Sequence, residues 1–151
     1  IEAGAGWGLA KSAELNGYPG PAHVLELADK LEITSAQRKH VTAIFRKMQA
    51  AAIETGKHYI SSEARVDAVF RSGDATAEAV ANAVAEAAQW RGQLRLVHLN
   101  AHLETTKVLS EEQRRRYDHL RGYAGGETDT KRGHDGHGGH GGHGMPHGRA
   151  H

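Results

Sequence analysis

The sequence predicts an all-α protein, a hooked antiparallel hairpin of about four helices with an irregular N-terminal arm and a disordered tail. Composition points the same way: aromatics are scarce at 5%, apolar residues total 38%, and Ala, Leu, Arg, Glu and Gln are plentiful, which suits long helices better than a sheet. Apolar or small residues recur at steps of three and four through two long stretches, as a helical seam requires. Hydroxyl residues followed by a glutamine three positions on open two of the expected helices, the arrangement of a capping box. With so few large rings the core must be built from Leu, Val, Ile and Ala, giving one thin bundle and extensions.

Residues 1–22 are glycine-rich and close on Pro19 and Pro21, so they form the arm. A short helix follows, HVLELADKL, with Val24, Leu25, Leu27, Ala28 and Leu31 on its apolar side, ending near Glu32 and Ile33. Thr34 caps the next helix, with Gln37 at the third position. That helix runs from about Ser35 to Arg71 through Val41, Ile44, Phe45, Met48, Ala52, Tyr59, Val66 and Val69, with Gly56 its weak point. Ser72, Gly73 and Asp74 make the turn. A second long helix covers about Thr76 to Val108, where Leu96, Leu99 and Leu103 widen the apolar surface beyond one seam. Such a surface calls for a second chain, and a homodimer is expected. Ser110 caps the last helix, with Gln113 at its third position, and Gly122 ends it. Residues 124–151 are too polar and glycine-rich to pack and are expected to be disordered. The expected domains are therefore 1–22, 23–123 and 124–151.

A formal charge of +1 implies neither nucleic acid nor a membrane surface as partner. Arg114, Arg115 and Arg116 form a local basic run, but Glu111, Glu112 and Asp118 flank it, as on a solvated helix face. No apolar stretch is long enough to span a membrane. The absence of cysteine excludes disulfides and thiolate ligands and is compatible with an oxidising compartment. A chain opening on Ile1 rather than Met fits removal of a signal peptide or an anchor. No nucleophile–base pair, phosphate loop or paired-acid arrangement is evident, so an enzyme is not expected.

Histidine carries the chemistry. Half of the twelve, His134, His137, His140, His143, His147 and His151, lie in the closing run GHDGHGGHGGHGMPHGRAH. Imidazole is neutral and available near neutral pH and is the commonest protein ligand for zinc, copper and nickel. The irregular spacing, with Asp135, Met145 and Pro146 interspersed, reads as a natural metal-binding tail rather than an uninterrupted expression tag. His98 and His102 stand at i and i+4 on one helix face, about 5–6 Å apart at Cβ, where two imidazoles can converge on one ion. Leu99 after His98 rules out the hydrolytic HExxH pattern. Pairing the long helices about Gly73 brings Met48 to the level of His98 and His102; its thioether is a soft donor favouring Cu(I), or a gap-filling core residue. His40, His58 and His119 show no obvious partner and read as surface residues.

An internal repeat is visible: Ile33-Thr34-Ser35-Ala36-Gln37-Arg38 echoes Leu109-Ser110-Glu111-Glu112-Gln113-Arg114. The doubled L-x-[ST]-x-x-Q signature, with HVLELADKLEIT and LVHLNAHLETTKVLSEEQRRRYDHLRGY, resembles the CpxP/Spy family of small periplasmic helical proteins over residues 23–123. That family includes the zinc-responsive ZraP and the metal sensor CnrX, and the similarity points to its heavy-metal-associated branch. The resemblance implies a usually dimeric hooked hairpin in the bacterial envelope, acting as a stress chaperone or a metal-binding sensor. It also implies a metal role for His98 and His102, whose four-residue spacing matches the ligand pair of the sensing relatives, although the second of these is typically methionine in CnrX. His23, on the short helix, is the third implied ligand, matched with a one-residue shift that otherwise places Val24 there; Glu26 is a weaker alternative. No acidic ligand matching the one on the relatives' second helix is found.

The function expected is therefore a periplasmic transition-metal-binding protein, for copper, nickel, cobalt or zinc, in metal resistance or sensing. The alternative is an ATP-independent periplasmic chaperone. Expected partners are a second copy of the chain and either unfolded envelope proteins or a membrane signalling protein.

Overall fold

The computed structural model describes residues 8–123. Five helices follow one another: α1 (Lys11–Glu14), α2 (Pro21–Glu26), α3 (Ser35–Arg71), α4 (Ala77–Val108) and α5 (Glu111–Arg121), with no strand among the described residues. The all-α hooked hairpin expected from the sequence is the observed architecture, with the single turn α1 added inside the arm. Most contact between elements is between the antiparallel α3 and α4.

Both capping motifs form as expected. Thr34 accepts the Gln37 backbone N–H at 3.1 Å, and the Gln37 side chain accepts the Thr34 N–H at 2.9 Å. Ser110 and Gln113 repeat the arrangement at 3.1 and 2.9 Å. Each cap satisfies donors that a helix start leaves orphaned and stabilises by about 1 kcal/mol. The two glutamines also meet each other. Gln37 Nε2 donates to Gln113 Oε1 at 2.8 Å, and Gln113 Nε2 donates to Gln37 Oε1 at 3.0 Å. Gln37 Nε2 further donates to the Val108 carbonyl at 3.0 Å. The internal repeat is thus a two-sided clasp that binds the start of α3 to the start of α5.

Gly73 makes the tip of the hairpin at φ 79° and Gly122 closes α5 at φ 78°, left-handed positions that glycine fills without a Cβ clash. At the open end, Val24, Leu31, Val41, Leu109 and Tyr117 form the buried core, with Leu25, Leu27, Ile33, Val108 and Tyr123 packed against it. Towards the tip the buried residues shrink to Ser62, Ala83 and Ala87. Ile53, Ile60, Phe70, Val84, Leu96 and Leu103 are all about half exposed.

The short helix is briefer than expected. It ends at Glu26, and the chain continues as hydrogen-bonded turns, Leu31 N–H to Leu27 O at 2.9 Å and Ile33 N–H to Ala28 O at 3.2 Å. Glu32 then takes φ 52°, which costs a non-glycine residue about 1–2 kcal/mol. The bend delivers Leu31 to the core and frees Thr34 to cap α3. The Glu32 carboxylate pairs with Arg116 across the bend. Arg115 pairs with Glu111 and Arg116 also reaches Glu112 at 3.2 Å, as on a solvated face. Arg114 departs from that expectation: it is half-buried, its Nε enclosed and without a hydrogen-bond partner among the described residues.

Candidate metal centre

The arm returns through Gly17 (φ 81°), buries Pro19 and Gly20, and so lays α1 against the second half of α4. This carries Glu14, the last residue of α1, into the open end of the hairpin. Its carboxylate, 12% exposed, lies 3.4 Å from His23 Nδ1 through Oε1 and 3.6 Å from His102 Nδ1 through Oε2. The Tyr117 hydroxyl donates to Oε1, and the Gly20 N–H donates to Oε2 at 3.3 Å. Arg121 Nε stands 3.5 Å from Oε1, and the Tyr123 hydroxyl donates to the same oxygen at 3.5 Å. Arm, α2, α4 and α5 therefore meet on one carboxylate.

His102 is the most enclosed of the described histidines at 9% exposure. Its Nδ1 lies 2.7 Å from the Tyr18 carbonyl, and since a carbonyl only accepts, the proton sits on Nδ1. The ring slides over Gly20, where an added Cβ would fall 2.7 Å from Cε1 and 2.8 Å from Nε2. Gly20 is thus a close-approach glycine. His98, one turn earlier and half-buried, has its pKa lowered first by burial and then by the charge of His102. Its imidazole is accordingly neutral at neutral pH, the form that binds a metal.

On the α5 side, burial raises the Tyr117 pKa, with its hydrogen bond to Glu14 adding to the effect, so this phenol stays protonated and donating. Burial and then the Glu14 charge raise the pKa of Asp118, whose buried Oδ1 has no hydrogen-bond partner among the described residues.

The expected site residues divide clearly. His23 and His102 come together through Glu14, and His98 lies near enough to His102 to feel its charge. Met48 is half-buried on α3, and the described polar contacts of the site do not extend to it. His134, His137, His140, His143, His147 and His151 lie outside the described residues. Among the described residues no three His, Asp or Glu side chains form a ready-made metal cage. His58, expected to lack a partner, stacks on Trp90 with centroids 4.2 Å apart and lies 3.7 Å from Glu54 Oε1. Glu14 is the residue that sequence reasoning missed. The one signal for it was that the arm holds only two acids, Glu2 and Glu14.

Fold and site together describe a small helical-hairpin protein with imidazoles gathered at its open end. The heavy-metal resistance family matches residues 4–116, and the chain belongs to that family. No curated protein and no solved structure matches it.

Proposed function

We propose that the protein binds a borderline transition metal, copper, nickel, cobalt or zinc, as cargo in the periplasm, in metal resistance or sensing. The observation that carries this reading is the convergence of His23 and His102 on Glu14, with a neutral His98 beside them. Nitrogen donors without thiolate suit these ions better than calcium or magnesium. The folded histidines supply selectivity, and the tail imidazoles supply capacity and raise the local metal concentration. The half-exposed Leu96 and Leu103 on α4 support a homodimer that covers them. Competition titrations with Zn(II), Ni(II), Co(II) and Cu(II) test the reading, comparing the full chain with a form ending at Gly125. The shorter form should keep one tight equivalent, and its absence would leave only the tail as a binding element.

One observation favours a second reading. A groove of about 810 Å³ along the hairpin is lined by Val66, Val84 and Ala87 with Glu63, Arg91 and Arg95, a partly apolar surface with an excess of basic over acidic side chains that would suit unfolded clients. Suppression of client aggregation that is indifferent to metal would move the chaperone ahead.

A further inference from the structure

We propose that Glu14 is the positioning carboxylate of the histidine site, holding the Nδ1 edge of His23 beside that of His102, which the Tyr18 carbonyl holds, so that each ring presents its Nε2 lone pair to a borderline divalent ion. The assignment rests on the metal-binding reading above and names the residue that orients its ligands.

Two imidazoles from different elements place the same ring nitrogen beside the same carboxylate, one near each oxygen, at 3.4 and 3.6 Å. In neutral imidazole one nitrogen carries the proton and the other the lone pair. An acceptor facing Nδ1 therefore selects the tautomer whose Nε2 can bind a metal. For His102 the Tyr18 carbonyl 2.7 Å from Nδ1 makes this choice, with the Glu14 carboxylate beside it at 3.6 Å. The same contact argues against Glu14 as a direct ligand beside His102 Nδ1, because that nitrogen would have to give up its proton and its carbonyl.

Glu14 is itself held in place. The Tyr117 hydroxyl and the Gly20 N–H donate to its two oxygens, and Arg121 stands 3.5 Å from Oε1. Both oxygens are thus fixed by donors from the arm and α5 while they face the two histidines. Metal-binding histidines generally donate their second ring N–H to a carboxylate or carbonyl, and removing that partner costs about 10–100-fold in affinity.

The test uses the full chain labelled with ¹⁵N at histidine, with Zn(II) as probe, because ring signals separate His23 and His102 from the tail. In the wild type both rings should show the proton on Nδ1, and zinc should shift Nε2. In Glu14→Leu the His23 ring should lose its preference for the Nδ1–H form, while His102 keeps its proton on Nδ1 through Tyr18. A purely structural role for Glu14 would disturb both rings alike. Zinc affinity read at these signals should fall about 10–100-fold. Glu14→Gln, which keeps shape and loses charge, serves if Glu14→Leu fails to fold, and should weaken zinc about tenfold with helicity unchanged. Unaltered tautomers and affinity in these variants, or zinc bound at Nδ1, would overturn the assignment while leaving the metal-binding reading intact. Zinc that shifts neither ring in the wild type would overturn both.

Discussion

Gly20 and His98 show how single residues set the chemistry of the open end. A methyl group at residue 20 would meet the His102 ring at 2.7 Å, and the ring is held by the Tyr18 carbonyl at 2.7 Å. Gly20→Ala should therefore destabilise by about 1–3 kcal/mol, the usual range for overpacking, and weaken metal binding as the ring turns; urea melts and a zinc titration check both. His98 gives a pH dependence of definite sign. Its folded pKa lies below the ordinary 6.5 through burial and then through His102, so the unfolded chain binds this proton more readily. The stability it contributes is present above about pH 6.5 and is lost as pH falls through the lowered folded value. His98→Ala should flatten the acid side of the stability profile, and melts at about pH 7 and about pH 5 measure the difference.

Among the elements, the clasp between α3 and α5 makes the most specific demand. Gln37 and Gln113 each cap their own helix and bond to each other, so removing one leaves the other with unmet donors. Gln37→Ala and Gln113→Ala should each cost about 1–2 kcal/mol. The double variant should cost less than their sum, with a coupling of about 0.5 kcal/mol or more in a double-mutant cycle. Strict additivity would show that the pair does not act as a clasp. The elements were legible because capping chemistry is local: Thr34, Gln37, Ser110 and Gln113 stand within one turn of the starts they fix. The clasp itself was not, since nothing local says that two similar caps touch. The early end of α2 was hidden because only the tertiary demand on Leu31 and Thr34 justifies a left-handed Glu32. Glu14 was hidden for a like reason, since its neighbours come from α2, α4 and α5 and no spacing rule links a lone acid in a glycine-rich arm to them. His98 and His102 were visible because i, i+4 spacing is a helix property, whereas the retention of His102 by Tyr18 needed the fold.

For the whole molecule, the thin hairpin leaves Leu96 and Leu103 about half exposed on α4, and a second copy should cover them. Sedimentation at micromolar concentration should give a dimer, and Leu96→Glu with Leu103→Glu should give a folded monomer; a wild-type monomer with and without metal would refute the interface. Residues 124–151 carry half of the histidines but lie beyond α5 and Tyr123, so ending the chain at Gly125 should lower metal stoichiometry and leave helicity nearly unchanged. In that shortened form the central claim meets its most direct measurement, the affinity of one metal equivalent in His98→Ala and His102→Ala. Each substitution should weaken binding at least tenfold, on the order of 1.4 kcal/mol, while His58→Ala, whose imidazole stacks on Trp90, should leave it unchanged. Binding that is absent from the shortened wild type, or indifferent to both His98 and His102, would contradict a folded metal site and leave the tail as the metal-binding element.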